Sequence, residues 1–496
     1  MNEAAAALHA ELAAALESWG LALDEAGADA SLIRSGRLDS VALFNLALWV
    51  EERIGAPVDP TSFDVVAEWD TPASIVAFVL RRRTAPAADA VPPSSDSGAS
   101  KEKQQNDQPK PPAVSTRRTD LRVVRATEAD IDRIAQLQTR LWSPDPAANR
   151  AFFRWKYLDN PFGTEPIVHL VLDERGEAIA TRGFCMSEWE AAAGPGAPRE
   201  RLRWYCVDDL VVVLPGHESR GVFALLVEEG LTEMARVGAP LYLSLSALRV
   251  SRLQSLTTGS QSLGGLLPIG WRGSEARRAE LFDRVLGRLP MLWRQSPAWR
   301  RRVGARAFAA LDRMPQRSTS LGAIGVTREP DAPAMAALID ALPYDGRIRH
   351  RRDARYFDWR YRNPLHQHRF VFLRDGGKLL GYAVLERALS DFGNGVRVNF
   401  ADWEAVSDEA AMLLMQHIAD ALRPFEVAIW SATLPPPRRT ELARLGLAEI
   451  DADQSLRGLP AILLRAVNNH APLAVAGREP TRLSNWDIRM CYTNAV

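Results

Sequence analysis

Residues 205–238 read YCVDDLVVVLPGHESRGVFALLVEEGLTEMARVG. A β-branched run comes first, a Pro–Gly pair interrupts it, and an apolar pattern of helical period follows. The segment predicts a strand ending at Val213, a loop through Pro215 and Gly216, and a helix over 223–238. Upstream, LRVVRA (121–126), IVHLVLD (167–173), AIATRGFCMSEW (178–189) and RLRWYCVDDLVVV (201–213) read as strands, with a helix over 128–142 after the first. Downstream, PLYLSLSA (240–247) reads as the next strand. Strands alternating with helices indicate an α/β architecture.

The chain has 496 residues, 47% hydrophobic and 25% charged, an ordinary globular balance that excludes wholesale disorder and collagen-like repeats. At roughly 100–200 residues per domain, two to four domains are expected. No apolar run reaches the roughly 18 residues of a membrane span, and MNEAAAALHA lacks a basic start followed by an apolar core, so no signal peptide is expected. Cys185, Cys206 and Cys491 are odd in number and widely spaced. No metal site or disulfide framework is expected from them, and the compartment expected is the reducing cytoplasm. The formal net charge is zero, yet residues 1–80 hold 13 acidic and 3 basic side chains, so the rest carries the compensating positive excess. Opposite charges on two parts of one chain favour their association.

Residues 84–118 contain six prolines and no aromatic residue, Leu or Ile. Such a segment cannot offset its ordering entropy by burial and reads as a disordered linker. As a coil it spans roughly 30–35 Å and keeps its two ends at an effective concentration of about millimolar. Before it, residues 3–20, 40–54 and 71–82 have helical spacing, with Thr71 as cap and Pro72 at the first helical position. After it, FRWKYLDNP (153–161) is echoed by FDWRYRNP (357–364), each followed by two apolar strands, which suggests two related units in tandem.

Asp39–Ser40 before an amphipathic helix, Ile54–Gly55, an acidic loop ending in Phe63 and Thr71 opening a last helix resemble the acyl carrier protein family over about residues 5–82. The resemblance implies a 4′-phosphopantetheine esterified to Ser40, next to Asp39, by a phosphopantetheinyl transferase, and an acyl- or aminoacyl-activating enzyme that loads it. A serine at a helix N-terminus suits this, because the positive end of the dipole favours the phosphodiester.

The 205–238 segment resembles the GNAT superfamily of N-acyltransferases, in which one strand splays from its neighbour to receive a pantetheine arm. The resemblance implies that Val212 and Val213 line the arm, and that His217, Ser219, Arg220, Gly221 and Val222 form the pyrophosphate loop at a helix N-terminus. Glu218 and Phe223 depart from the family's loop pattern. An acidic side chain repels phosphates and Phe blocks close backbone approach, so a carrier-borne pantetheine fits this loop better than soluble acyl-CoA. Asp208 and Asp209 precede the loop as base candidates, and strand alternation lets at most one face the cleft. The family's acid is a tyrosine, and its place is held here by Ser260 in the first unit and Leu442 in the second; the acid is therefore missing, supplied elsewhere, or unnecessary for a thiolate leaving group, and Ser260 stands as a catalytic candidate. The second unit runs from VRVNFADWEAV straight into a helix, without a glycine loop, and reads as degenerate.

These readings divide the chain into a carrier-like domain (1–83), the linker (84–118), an N-terminal GNAT-like domain (119–272), a basic helical connector (273–320) and a C-terminal degenerate GNAT-like domain (321–496). The fold class expected is multidomain, a small all-α four-helix carrier followed by α/β (α+β) tandem GNAT-like domains. The connector, with eleven arginines over 274–317, is a dock for the acidic carrier, a membrane-surface element, or an arginine face whose stems cover apolar surface. The function expected is transfer of an acyl or aminoacyl group from the carrier thioester to a small amine, in secondary metabolism or envelope-glycan decoration. Two alternatives stay open: loading of the carrier from acyl-CoA, with coenzyme A as a second cofactor, and a non-catalytic carrier fused to a recognition module. No nucleic-acid partner is expected, because no reading motif is present.

Overall fold

The computed structural model describes residues 3–84 except 22–26, 36, 39, 57, 59 and 61–62. It further describes residues 121–492 except 164–165, 207–211, 214–221, 247–248, 267, 287–295, 390–395, 450–460 and 468–473.

The N-terminal layer is helical: α1 (Glu3–Ser18), α2 (Ser40–Ile54), α3 (Val65–Trp69) and α4 (Pro72–Thr84). Leu8, Leu12 and Leu16 form the buried stripe of α1. Asp64 caps α3 by accepting from the amides of Val66 and Ala67, and the Thr71 hydroxyl accepts from the Ser74 amide at the start of α4. Asp70 ties the loop before α2 to the α3–α4 junction. Its carboxylate accepts from the Ser31 hydroxyl and from the amides of Ile33 and Arg34 at 3.0, 3.0 and 2.8 Å.

The first α/β unit follows as β1 (Arg122–Arg125), α5 (Ile131–Leu137), α6 (Pro146–Phe153), β2 (Ile167–Leu172), β3 (Ala178–Ala191) and β4 (Glu200–Cys206). It continues with β5 (Val212–Val213), α7 (Val222–Arg236), β6 (Leu241–Ser246), α8 (Arg249–Thr257), β7 (Gln261–Gly265) and β8 (Pro268–Arg272). The single strand expected over 201–213 is thus described as two, β4 and β5, both paired to β3.

The second unit begins with α9 (Ser274–Leu286), α10 (Ser296–Asp312), β9 (Arg317–Thr319), β10 (Gly322–Thr327), α11 (Ala332–Ala341), β11 (Ile348–His350) and α12 (Ala354–Arg360). Then come β12 (His366–Asp375), β13 (Lys378–Ala388), β14 (Arg397–Ala405), α13 (Asp408–Leu422), β15 (Glu426–Trp430), α14 (Pro436–Arg444), β16 (Ala448–Glu449), β17 (Ala461–Ala466) and β18 (Trp486–Asp487).

Two mixed sheets result. The first runs β1-β2-β3-β4-β6-β17-β7, with β5 and β11 also on β3 and β18 on β11; the second runs β16-β8-β15-β14-β13-β12-β10-β9. Each sheet contains a strand from the other half of the chain. β17 lies between β6 and β7 and pairs antiparallel with both. β8 lies between β15 and β16 and pairs antiparallel with both. Neither half of the chain completes its own sheet, because a missing central strand leaves two rows of backbone polar groups without partners.

The sequence echo is a pseudo-two-fold contact. Trp155 and Trp359 stack at 5.0 Å and 10°, and each indole N–H donates to the other's backbone carbonyl at 2.7 Å. Asn160 and Asn363 make the same turn in both copies, accepting from the amides of Phe162 and Leu365.

The helical layer is not set apart by a core of its own. Leu253 of α8 belongs to the apolar cluster of Leu43, Leu46, Val50, Val65 and Trp69, with Leu256 packed on it. The independent all-α carrier expected from the sequence is, among the described residues, a helical layer joined to the α/β part through α8. The arginine-rich α9 and α10 pack on the second sheet, burying Ala276, Ala279, Val303, Ala307, Phe308 and Leu311. Arg369 and Arg387 lie over the Phe308 ring. These two arginines belong to β12 and β13, whereas Arg277, Arg278, Arg300, Arg301, Arg302 and Arg306 of α9 and α10 are exposed.

The strand exchange predicts that residues 121–272 produced alone are insoluble or unfolded, since β17 is absent, and that co-expression with 273–496 restores a soluble complex. Circular dichroism and size-exclusion chromatography of each product check this; a well-folded 121–272 fragment refutes it.

Candidate functional site

Among the described residues β4 and β6 are paired parallel at Tyr205–Tyr242 and Cys206–Leu243, and Cys206 is the last residue of β4. β6 then continues to Ser246, bonded on its other side to β17 from Leu243–Leu464 to Ser246–Ala461. β5 stays on β3, opposite Ala180 and Thr181. The end of β4 is fixed from beneath: the Trp189 indole donates to the Ser187 hydroxyl at 2.8 Å, and that hydroxyl lies 3.2 Å from the Cys206 thiol. α7 begins with Val222, which is buried together with Leu226. It approaches the sheet through Gly230, where a Cβ would fall 2.3 Å from the Phe184 ring.

In the second unit two parallel strands part. β14 and β15 are paired only from Arg397–Glu426 to Asn399–Ala428. A β-bulge follows, since Leu385 and Val384 of β13 face Phe400 and Asp402, passing over Ala401. This opening is filled by the chain itself. The Ile488 amide donates to the Thr433 hydroxyl at 3.0 Å, and that hydroxyl lies 3.2 Å from the Ile488 carbonyl. Arg489 donates to the Trp403 carbonyl on the β14 side.

A buried ion lattice holds the filling segment. Asp402, fully buried, accepts from Arg352 at 2.6 Å, the Tyr382 hydroxyl at 2.8 Å and Arg489 at 3.1 Å. Arg352 and Arg489 share Glu404 at 2.6 and 2.8 Å. Burial opposes the charge on Asp487, but Arg489 and Arg347 hold its carboxyl well below the usual carboxylate range. Trp486 closes on Trp189 and Trp204.

Of the sequence-predicted residues, Asp39, Asp208, Asp209, His217, Ser219, Arg220 and Gly221 lie outside the described residues. Ser40 is the first residue of α2, and Val212 and Val213 form β5; their side chains are likewise outside the description. Val222 opens α7. Ser260 is buried, its hydroxyl 3.4 Å from that of Tyr242. Gln261 is level with Leu464 and Leu243, so Ser260 sits at the level of Tyr242, about 13 Å along the strand from Ser246.

Two features escaped the sequence reading. Arg182, buried on β3, lies 5.1 Å from the rings of both Phe184 and Phe223, which puts a cation at the first turn of α7. Its only signal is a charge inside an apolar run. The filling segment WDIRMCY (486–492) does carry a signal, since Trp486, Ile488, Met490 and Tyr492 alternate as in a strand.

His366, His368 and Glu386 bring three metal-type donor atoms within 4.8 Å of one another. They fit a metal poorly. Arg360 already donates to Glu386 at 3.1 Å, while His368 and His366 lie 2.8 and 3.1 Å from its two oxygens. A divalent cation beside that guanidinium would add unbalanced buried charge.

No family model matches the sequence, and no curated protein matches it. Solved structures do. The chain is similar to a probable N-acyltransferase from Enterococcus faecalis, with 11% identity, a TM-score of 0.46, and 70% of this chain and 72% of that one covered. It is similar to a tandem GNAT protein from the clavulanic acid biosynthesis pathway, with 12% identity, a TM-score of 0.41, and 71% and 100% covered. It is also similar to a GCN5-related N-acetyltransferase from Anabaena variabilis, with 11% identity, a TM-score of 0.41, and 70% and 73% covered. Among the described residues no helix is long and apolar enough to cross a membrane.

Two buried imidazoles set an acid dependence. Burial pushes His169 down to about 4 and His350 to about 3. The unfolded chain takes up these protons below about 6.5, the folded chain only below the lowered values, so this stability is complete above pH 6.5 and is lost on acidification. Each group contributes a slope of about 1.4 kcal/mol per pH unit in that window. His350→Phe, which keeps a ring in its aromatic box, should reduce the slope between pH 6.5 and 5 by about one proton's worth in urea titrations. An unchanged slope contradicts the assignment.

Proposed function

We propose that the chain is a GNAT-type acyltransferase that moves an acyl or aminoacyl group from a phosphopantetheine thioester on Ser40 to an amine acceptor. The observation that carries this reading is that the parting of β14 and β15 in the second unit is occupied by residues 486–489. This leaves the first unit, with β4 and β6 paired parallel and α7 beginning at Val222, as the catalytic one, and the second supplies β17 to its sheet.

Ser40 opens a helix of 15 residues. Its hydroxyl fits esterification, because the N-terminal end of the dipole favours a phosphodiester there. The bound arm supplies a thioester, an acyl group already activated for attack. This chain's own part is to hold that carbonyl beside the amine, which supplies effective molarity and excludes water. Asp208 and Asp209 stand two and three residues after Cys206, the last residue of β4, and one of them takes the proton from the attacking amine. A thiol of pKa about 8.5 departs readily as thiolate, so little general-acid help is needed. Ser260, hydrogen-bonded at the Tyr242 level, is the remaining candidate for that proton.

Glu218 before α7 disfavours a soluble acyl-CoA pyrophosphate and favours an arm bound to protein. The buried Arg182 at the first turn of α7 offsets part of that repulsion, which keeps carrier loading from acyl-CoA as the second reading. Calorimetry on the unmodified chain separates the two, since micromolar binding of acetyl-CoA favours loading.

Intact-protein mass spectrometry after co-expression with a phosphopantetheinyl transferase should show a single modification that Ser40→Ala abolishes; an unmodified chain sinks the carrier reading. In amine-acylation assays of the loaded chain, whichever of Asp208→Ala and Asp209→Ala removes the base should lower turnover by about 10²–10⁴-fold. Ser260→Ala should cost less than about tenfold, because the thiolate needs little acid. If both aspartate variants keep full turnover, the assigned base is wrong.

A further inference from the structure

We propose that Cys185 and Cys206 form a redox-modification site, a dithiol that a small peroxide converts reversibly into a disulfide joining β3 to β4. The inference stands apart from the reading of Ser40. Two of the chain's three cysteines are register partners on neighbouring antiparallel strands. Directly opposed residues of such a ladder have Cα atoms roughly 4.5–5.5 Å apart, within the roughly 4.4–6.8 Å that a disulfide spans. They also project from the same face of the sheet. The contacts agree. Ser187 stands two positions from Cys185 and so shares its face, and its hydroxyl lies 3.2 Å from the Cys206 sulfur. The link therefore needs side-chain rotation and no backbone movement.

The surroundings favour reaction at Cys185. The Asn160 side-chain amide donates to the Cys185 sulfur at 3.1 Å and to the Met186 carbonyl at 2.9 Å. An N–H aimed at sulfur stabilises the thiolate, the form that attacks a peroxide. Asn363 makes the echoed turn in the second unit, yet its amide nitrogen has no partner among the described residues. The same turn thus carries a sulfur contact in one unit and none in the other. Both cysteines are 4% exposed, which excludes bulky oxidants. A cleft of about 750 Å³ is lined by Met186 and Tyr205, the chain neighbours of the two cysteines, and by Trp204. It brings solvent to within one residue of each, so hydrogen peroxide is the oxidant the site fits.

The Cys185 thiolate attacks one peroxide oxygen, the O–O bond breaks, and a sulfenic acid forms as one water leaves. The Cys206 thiol then attacks that sulfur, the S–O bond breaks, and a second water leaves. The two thiols are oxidised to one S–S bond and the peroxide is reduced to two waters. A dithiol reductant reverses the change by exchange. The link closes a loop of roughly 20 residues and ties the last residue of β4 to β3, two positions before Asp208.

The test treats the full chain with hydrogen peroxide, alkylates the remaining thiols under denaturing conditions, and maps the proteolytic peptides by mass spectrometry. The product should lack two hydrogens and carry a single link, Cys185 to Cys206, with Cys491 alkylated. A dithiol reductant should return all three cysteines to alkylatable thiols. Cys491→Ser should form the same link; if that variant does not fold, the peptide map of the parent chain decides. Three free thiols after peroxide, sulfinic acids in place of the disulfide, or a link that involves Cys491 or a second chain overturns the proposal.

Discussion

The reciprocal exchange of β17 and β8 is the constraint on which the rest of the structure depends. Each strand makes two antiparallel ladders in a sheet built mainly from the other half of the chain. Removing either leaves a sheet interior with unpaired N–H and C=O groups, which no apolar burial offsets. The exchange also places β6 under the control of both halves, because β17 pairs with its far side.

Duplication followed by divergence explains the remainder. The two tryptophans of the echoed motif stack and exchange hydrogen bonds about a pseudo-two-fold axis, so both units keep the same frame. Each sheet holds a short parallel pairing, β4 with β6 and β14 with β15, and in the second unit the two strands part beyond it. In the second unit, residues 486–492 are buried there and held by Asp402, Glu404, Arg352 and Arg489. Charges so deeply buried persist only when mutually paired, and here the pairing secures the segment that closes the opening.

The helical layer adds a third level. Its internal order comes from local capping and from Asp70, which gathers the loop at 31–34, but its position comes from α8. A surface helix of the α/β unit thereby serves as both the exit of a sheet strand and the seat of another layer.

Local chemistry in the sequence determined a good deal: the α1, α2 and α4 helices, the last with its Thr71 and Pro72 start, the helix that begins at Val222, and the tandem motif at Trp155 and Trp359. These depend on periodicity, caps and turn residues, which act within a few positions. It could not give the exchange of β17 and β8, because strand partners hundreds of residues apart leave no local mark beyond an apolar run. Nor could it place Ser260 at the level of Tyr242, seat the acidic helices on α8 instead of the arginine-rich connector, or put Arg182 beneath α7. Those outcomes rest on register between distant strands and on which apolar faces meet, and only the tertiary structure decides them.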